Sequence, residues 1–154
     1  MFETVPPDPP PVIGRATVID GDTIEIHDQR IRLWGIDAPE SRQTCTQAGE
    51  TYRCGQEAAH ALAALIGQKT VRCAPRGRPD RYRRIVAWCT ISPWPAEDLR
   101  LTIDLGARMV QEGQALDWPR YSGGAYARWQ TEAERDRRGL WAGAFERPWD
   151  WRAR

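Results

Sequence analysis

Short runs in which apolar and β-branched residues alternate with polar ones fill the first third of the chain, and they predict strands. Val12 to Ile19 and Thr23 to His27 are two such runs, with Ile24 and Ile26 on one face. Asp20-Gly21-Asp22 between them has the chemistry of a turn. A third run, Gln29 to Ile36, puts Ile31 and Leu33 on one face, so Arg32 points away from the apolar core. Residues 37–53 are polar, carry Pro39, Gly49 and two cysteines, and read as a long loop that needs a staple. From Gln56 to Ile66 the spacing of Ala58, Leu62, Leu65 and Ile66 matches one face of a helix, and Gly67 follows as its stop. Lys69 to Ala74 and Arg84 to Ile91 predict two more strands. Leu101, Leu105 and Met109 recur every four residues with Gly113 beyond, which predicts a second helix over about Asp104 to Glu112. A third helix is expected after Ser122 as N-cap, with Tyr126, Trp129 and Ala133 on one face and an end at Gly139. The aromatic stretch Leu140 to Trp151 is expected to pack back as a closing flap.

Five short strands and three helices without β-α-β alternation predict a mainly β protein with α (α+β): a small five-stranded antiparallel barrel with helices at one end. The length of 154 residues suits one domain. Five prolines between Pro6 and Pro11 remove backbone donors, so residues 1–11 are expected as a flexible tail and 12–154 as the domain. Hydrophobic residues make up 41% and charged ones 28%, which excludes a wholly disordered or collagen-like chain. The longest apolar run, Ala61 to Ile66, is far short of the roughly 20 residues that a bilayer crossing needs, so no membrane association is expected. Net charge is +1, so any attraction for a polyanion must be local. The local candidate is Arg76, Arg78, Arg81, Arg83 and Arg84, opposed by Asp80 alone.

Cys45, Cys54, Cys73 and Cys89 include no C-x-x-C pair, and neither His27 nor His60 stands at zinc-finger spacing from them. Of the three possible pairings, the one that closes local loops joins Cys45 to Cys54 and Cys73 to Cys89. Each closure is worth about 3 kcal/mol in the chain-entropy account. Two disulfides imply an oxidising compartment, and hence an exported protein, periplasmic or secreted. No export signal opens the sequence, so the chain is expected to be a mature or shortened form.

Asp22, Asp37 and Glu40 each fall at a predicted strand end, where a barrel gathers residues at one mouth. Three carboxylates repel unless a hard cation such as Ca²⁺ offsets them. Arg32 on an adjacent strand and Arg84 at the foot of another add fixed guanidinium forks. Such forks match the equatorial oxygens of a phosphodiester in its transition state. A carboxylate left off the metal can orient or deprotonate an attacking water. His27 and His60 read as structural, and Trp34, Trp88, Trp129 and Trp141 as packed aromatics. Trp118, Trp149 and Trp151 stay unassigned.

VIDGDT (Val18 to Thr23), IRLWGIDAPE (Ile31 to Glu40), YRCGQEA (Tyr52 to Ala58) and DRYRR (Asp80 to Arg84) occur in this order. With these motifs the chain resembles the staphylococcal-nuclease-like family, or thermonucleases. It is most similar to exported proteobacterial members with four cysteines and an ending like RRGLWAGAFERPWDWR (Arg137 to Arg152). The resemblance runs from Val12 onward. It implies an OB-fold barrel and a Ca²⁺-dependent endonuclease that cleaves DNA and RNA with little sequence preference, leaving 3'-phosphate ends, and a monomer is expected. By position, Asp22 and Asp37 would be carboxylate ligands of Ca²⁺, and Ala38 would add its backbone carbonyl. Glu40 would position and deprotonate the water, while Arg32 and Arg84 would bind the scissile phosphate. Asp20 and Asp80 would support these groups from behind. Tyr82 matches a tyrosine that contacts a terminal phosphate, and Tyr121 an aromatic set against the base, while Arg81 and Arg83 are substrate candidates from the basic cluster itself. Two positions depart from the pattern. Ala38 stands where the family often has Thr, and Arg83 where it commonly has Gly, which costs on the order of 1 kcal/mol if the turn needs a positive φ.

Two other function classes fit parts of the pattern. A non-catalytic OB-fold module that grips single-stranded nucleic acid through aromatic platforms and basic grooves would have no use for Glu40. An interaction domain with a vestigial site would have no reason to keep Asp22, Arg32, Asp37, Glu40 and Arg84 together.

Overall fold

The computed structural model describes residues 8–92 and 101–154. The expected proline-rich tail falls largely on residues 1–7, outside the described residues. Among the described residues, eleven strands and five α-helices follow in order. They are β1 (Val12–Gly14), β2 (Thr17–Asp20), β3 (Thr23–Ile26), β4 (Gln29–Leu33), β5 (Ile36–Asp37), β6 (Cys45–Gln47) and β7 (Glu50–Tyr52), then α1 (Cys54–Ile66). Next come β8 (Val71–Pro75), β9 (Ile85–Ile91), β10 (Ile103–Asp104), α2 (Leu105–Gln111), β11 (Leu116–Asp117), α3 (Pro119–Ser122) and α4 (Ala127–Arg135). A 3₁₀ turn (Gly139–Ala142) and α5 (Pro148–Arg152) close the chain.

The main sheet runs β1-β8-β9-β4-β3-β2, with β10 also on β9. It is mixed rather than wholly antiparallel, because β4 and β9 run parallel with Ile31 opposite Ile85 and Leu33 opposite Ala87. A parallel return needs a long crossover, and α1 with β8 supplies it. The expected five strands also become more numerous. The first predicted run divides into β1 and β2, which pair with different partners, β8 and β3. The expected loop 37–53 contains the β6–β7 hairpin.

The alternating apolar positions do what their pattern predicts. Ile24, Ile26, Ile31, Leu33, Val71 and Ile91 are buried, and Leu62 and Ile66 of α1 join them with Leu105, Met109 and Val110 of α2. Burial of that size of side chain contributes about 1.5 to 3 kcal/mol each. A smaller cluster of Cys45, Cys54, Leu116 and Leu140 lies under Tyr52, Trp141, Phe145 and Trp149. Both local disulfides form, Cys45–Cys54 and Cys73–Cys89, the second between directly opposed residues of β8 and β9.

The expected third helix is corrected. Gly123 and Gly124 both take positive φ and break it, so Ser122 ends α3 instead of capping α4. The Ser122 hydroxyl donates to Asp117 Oδ1 at 2.6 Å, while Gly124 N–H donates back to Ser122 Oγ at 2.9 Å. Trp88, expected among the packed aromatics, is 41% exposed, and its Nε1–H donates to Asp104 Oδ2 at 2.8 Å. Among the described residues, no helix is long and apolar enough to cross a membrane.

Candidate active site

The tight turn from β2 to β3 carries Asp20 and Asp22, and β4 beside β3 carries Arg32. Thr23 and Arg32 stand opposite one another in the ladder. Arg32 does leave the apolar core, yet it stays only 8% exposed, because its guanidinium enters a polar nest. Nη1 lies 2.8 Å from Asp22 Oδ2, and Nη2 donates to Asp37 Oδ1 at 3.2 Å. Asp37 ends β5 and is fully buried. The next residue, Ala38, donates its N–H to Asp22 Oδ2 at 2.8 Å, which ties the two carboxylate segments together.

Burial raises the cost of ionising each of these acids, and their partners decide the balance. Burial and the neighbouring Asp22 charge push the Asp20 carboxyl up to about 7. Burial works the same way on Asp22, but Arg32 and hydrogen bonds from Asp20 and Ala38 hold it below its ordinary value. Burial pushes Asp37 up to about 6 against the pull of Arg152 and Arg32, so it is ionised at neutral pH.

Glu40 lies on the loop after β5, and that loop is clamped from two sides. Glu40 N–H donates to Gln43 Oε1 at 3.2 Å, and Gln43 N–H returns to Glu40 O at 2.8 Å. Behind it, the first turn of α1 presses so close that a Cβ on Gly55 would stand 1.8 Å from Glu40 O, so only glycine fits. The Gln43 side chain is fully buried and donates from Nε2 to Glu146 O at 2.7 Å.

Across the cleft, Asp80 moulds the turn that delivers Arg84. Its Oδ1 accepts from Tyr82 N–H and Arg84 N–H at 2.9 Å each, and its Oδ2 accepts from Arg84 Nε at 2.7 Å. Burial works against this carboxylate, but the Arg84 bonds keep it below the usual range. Arg84 Nη1 donates to Thr23 Oγ1 at 3.2 Å, and that hydroxyl donates to Asp22 Oδ1 at 3.2 Å. Arg83 does take a positive φ, +63°, as the departure from glycine implied. Arg81 and Arg84 flank the ring of Tyr82, which is 64% exposed.

These groups line an open cleft of about 1310 Å³ with eight arginines and four carboxylates on its walls. Asp20, Asp22, Arg32, Glu40, Asp80, Arg81, Tyr82, Arg84 and Tyr121 all reach it, Asp37 lies beneath, and Arg83 is not among its walls. Four contributors carried no clear signal in the sequence: Thr23, Gln43, Trp118 and Arg152. Trp118 stacks on Trp149 (5.9 Å, 7°) and meets Tyr121 edge-on at 4.5 Å. Arg152 donates from Nη1 to Asp37 Oδ1 (2.9 Å) and Glu40 Oε1 (2.6 Å), and from Nη2 to Asp37 Oδ2 (2.7 Å).

The donors suit a hard divalent cation in kind, since Asp22, Asp37 and the Ala38 carbonyl offer only oxygen. Among the described residues, no three His, Cys, Asp or Glu side chains are drawn into one metal-holding group. Two carboxylates and a carbonyl would be the set, with guanidiniums now neutralising the acids.

Residues 30–143 match the model of a family described as "Staphylococcal nuclease homologue". The chain is 39% identical over 133 residues to "Succinoglycan biosynthesis protein ExoI" of Rhizobium meliloti (strain 1021), covering 85% of this chain and 65% of that protein. It is 34% identical over 145 residues to "Micrococcal nuclease" of Shigella flexneri, with 88% and 76% covered. To "Probable staphylococcal-like nuclease CAN3" of Oryza sativa subsp. japonica it is 33% identical over 135 residues, 85% of this chain and 30% of that one. The chain therefore spans just under two thirds of the first of these relatives and less than a third of the rice protein.

Proposed function

The chain belongs to the staphylococcal nuclease homologue family, and on that premise we propose that its cleft is a Ca²⁺-dependent phosphodiesterase site that cleaves DNA and RNA and leaves 3'-phosphate ends. The family and its nuclease-named members support nuclease activity in general. One observation carries the particular reading: an unbroken polar chain runs Arg84–Thr23–Asp22–Arg32–Asp37–Arg152–Glu40 across the cleft floor. Residues from β3, β4, β5, the loop after it and the turn before β9 are thereby held at one spot.

In this reading Asp22, Asp37 and the Ala38 carbonyl hold the cation, which when bound supplies positive charge against the extra negative charge of phosphodiester cleavage. Glu40 orients the attacking water and accepts its proton. Arg32 and Arg84 offer paired N–H donors to the phosphoryl oxygens as charge grows on them. Neither arginine acts as an acid, because a guanidinium does not deprotonate in proteins, so the departing 5'-oxygen takes its proton from solvent water in the open cleft. Arg81 and Tyr82 stand on one lip of the cleft for an adjoining phosphate, and Tyr121 with Trp118 on another for a base. Phosphate contacts carry no sequence information, so cleavage is weakly specific. The mixed sheet with α1 across it is read as an OB-type barrel, the protein as a monomer, and the two disulfides as the mark of an exported protein.

The aromatic wall of Trp118, Trp149 and Tyr121 beside the arginines also suits a single-strand binding module without catalysis. Digestion of single-stranded DNA and RNA with Ca²⁺, with EDTA and with Glu40→Ala separates the two. The expected result is Ca²⁺-dependent fragments with 3'-phosphate ends, read by mass, and a loss of at least about 100-fold in kcat for Glu40→Ala. Salt-sensitive binding without cleavage would instead favour the binding module.

A further inference from the structure

Arg152 reaches the site from outside residues 30–143, the stretch that matches the family model. The segment that delivers it is fastened at several points. Thr46 and Ala144 exchange backbone hydrogen bonds, each 2.9 Å, and Gln43 Nε2 holds Glu146 O. Pro148 is buried at the start of α5, and Trp149 stacks on Trp118. The last residue of α5 is thus aimed at the carboxylates by anchors that do not depend on them.

The contact it makes is a charge match. Asp37 has no access to water and needs a counter-charge, since an isolated buried carboxylate is strongly disfavoured. Arg152 covers both Asp37 oxygens and one Glu40 oxygen. Asp22, Asp37 and Glu40 carry three negative charges against two positive ones on Arg32 and Arg152. Take Arg152 away, and the remaining excess is two negative charges, the complement of one divalent cation.

We propose that Arg152 is a built-in counter-cation that holds Asp37 and Glu40 in place in the metal-free protein and competes with the divalent cation for the same oxygens. The proposal rests on the reading of the cleft as a Ca²⁺ site. Both Asp37 oxygens accept from Arg152, and Oδ1 accepts from Arg32 as well, so a cation that ligates Asp37 meets the Arg152 guanidinium charge at close range and draws on the same lone pairs. Proton loss cannot relieve the competition, so only movement of the side chain does. That side chain is 34% exposed and has water to move into. Arg152 is therefore a positioning residue that sets how tightly the cation is held.

Calorimetric titration of Ca²⁺ into the metal-free protein tests this, with Arg152→Gln and Arg152→Lys beside the unaltered chain. Arg152→Gln should bind Ca²⁺ roughly ten- to a hundredfold more tightly, melt at a lower temperature without metal, and gain more from added Ca²⁺. Arg152→Lys keeps the charge and should gain less affinity. Unchanged or weaker Ca²⁺ binding by a folded Arg152→Gln would overturn the proposal, as would no Ca²⁺ binding by any of the three. Should Arg152→Gln fail to fold, the ¹⁵Nε resonance of Arg152 in the unaltered protein decides: it should shift on saturation with Ca²⁺, and no shift overturns the proposal. Tighter binding by Arg152→Gln with no cleavage by any form would sink the nuclease reading and keep Arg152. Ca²⁺-dependent cleavage with equal affinities would do the reverse.

Discussion

Arg83 occupies a left-handed backbone position at the turn that delivers Arg84, with its N–H donated to Asp80 O at 2.9 Å. A side chain there costs on the order of 1 kcal/mol, partly offset by the greater freedom glycine has when unfolded. Arg83→Gly should therefore raise the melting temperature by roughly 2 °C, and a lowered one would show that the side chain holds the turn through contacts of its own. Most of the candidate site was legible at this scale. Asp22, Asp37, Glu40, Arg32 and Arg84 lie in short motifs, and the structure brings four of them to the cleft wall with Asp37 buried beneath against Arg32. Thr23 and Gln43 were not legible, because what matters is the partner each meets: Arg84 is 61 residues from Thr23, and Glu146 is 103 from Gln43.

At the scale of elements, Asp104 joins three of them. Its Oδ1 caps α2 by accepting from Ala107 N–H at 3.1 Å, while Oδ2 accepts from Trp88 Nε1–H at 2.8 Å and from the Tyr126 hydroxyl at 2.9 Å. Burial, reinforced by Asp104, raises the Tyr126 phenol well above its ordinary value, so it remains a donor. Asp104→Ala removes the cap and strands a buried hydroxyl, for a cost of about 2 to 3 kcal/mol. The melting temperature should fall by roughly 5 to 10 °C, with Asp104→Asn, which keeps an acceptor, falling less. Equal losses for the two variants would assign the effect to charge rather than to hydrogen bonding. The extent of α2 was readable because Leu105 and Met109 recur at helical spacing and Gly113 follows, both local signals, whereas the Asp104 cap emerged only in the structure. The end of the supposed third helix was misread, because Ser122 serves Asp117 across the α3 turn and the glycine pair breaks the helix before its apolar face begins.

For the whole molecule, the buried acids make metal-free stability depend on pH in an unusual sense. Asp20 is pushed up from 3.8 to about 7 and Asp37 from 3.8 to about 6, so between these values the folded state holds protons that the unfolded chain has lost. Stability then falls as pH rises through that window. In EDTA the melting temperature should be lower at pH 7.5 than at pH 5, and Asp20→Asn should flatten the slope. A melting temperature that rises over the same interval, with or without Asp20, would contradict this. The sequence by itself marked the runs that become β3, β4, β8 and β9, the first two helices, the local pairing of the cysteines and the five residues proposed for the site. Each of these is written in local periodicity, loop length or a contiguous motif. Only the tertiary structure decided the parallel pairing of β4 with β9, the burial of Arg32 between two carboxylates, and the reach of Arg152 across 115 residues to Asp37. Those depend on where distant segments come to rest, and buried charge finds its partner in space rather than along the chain.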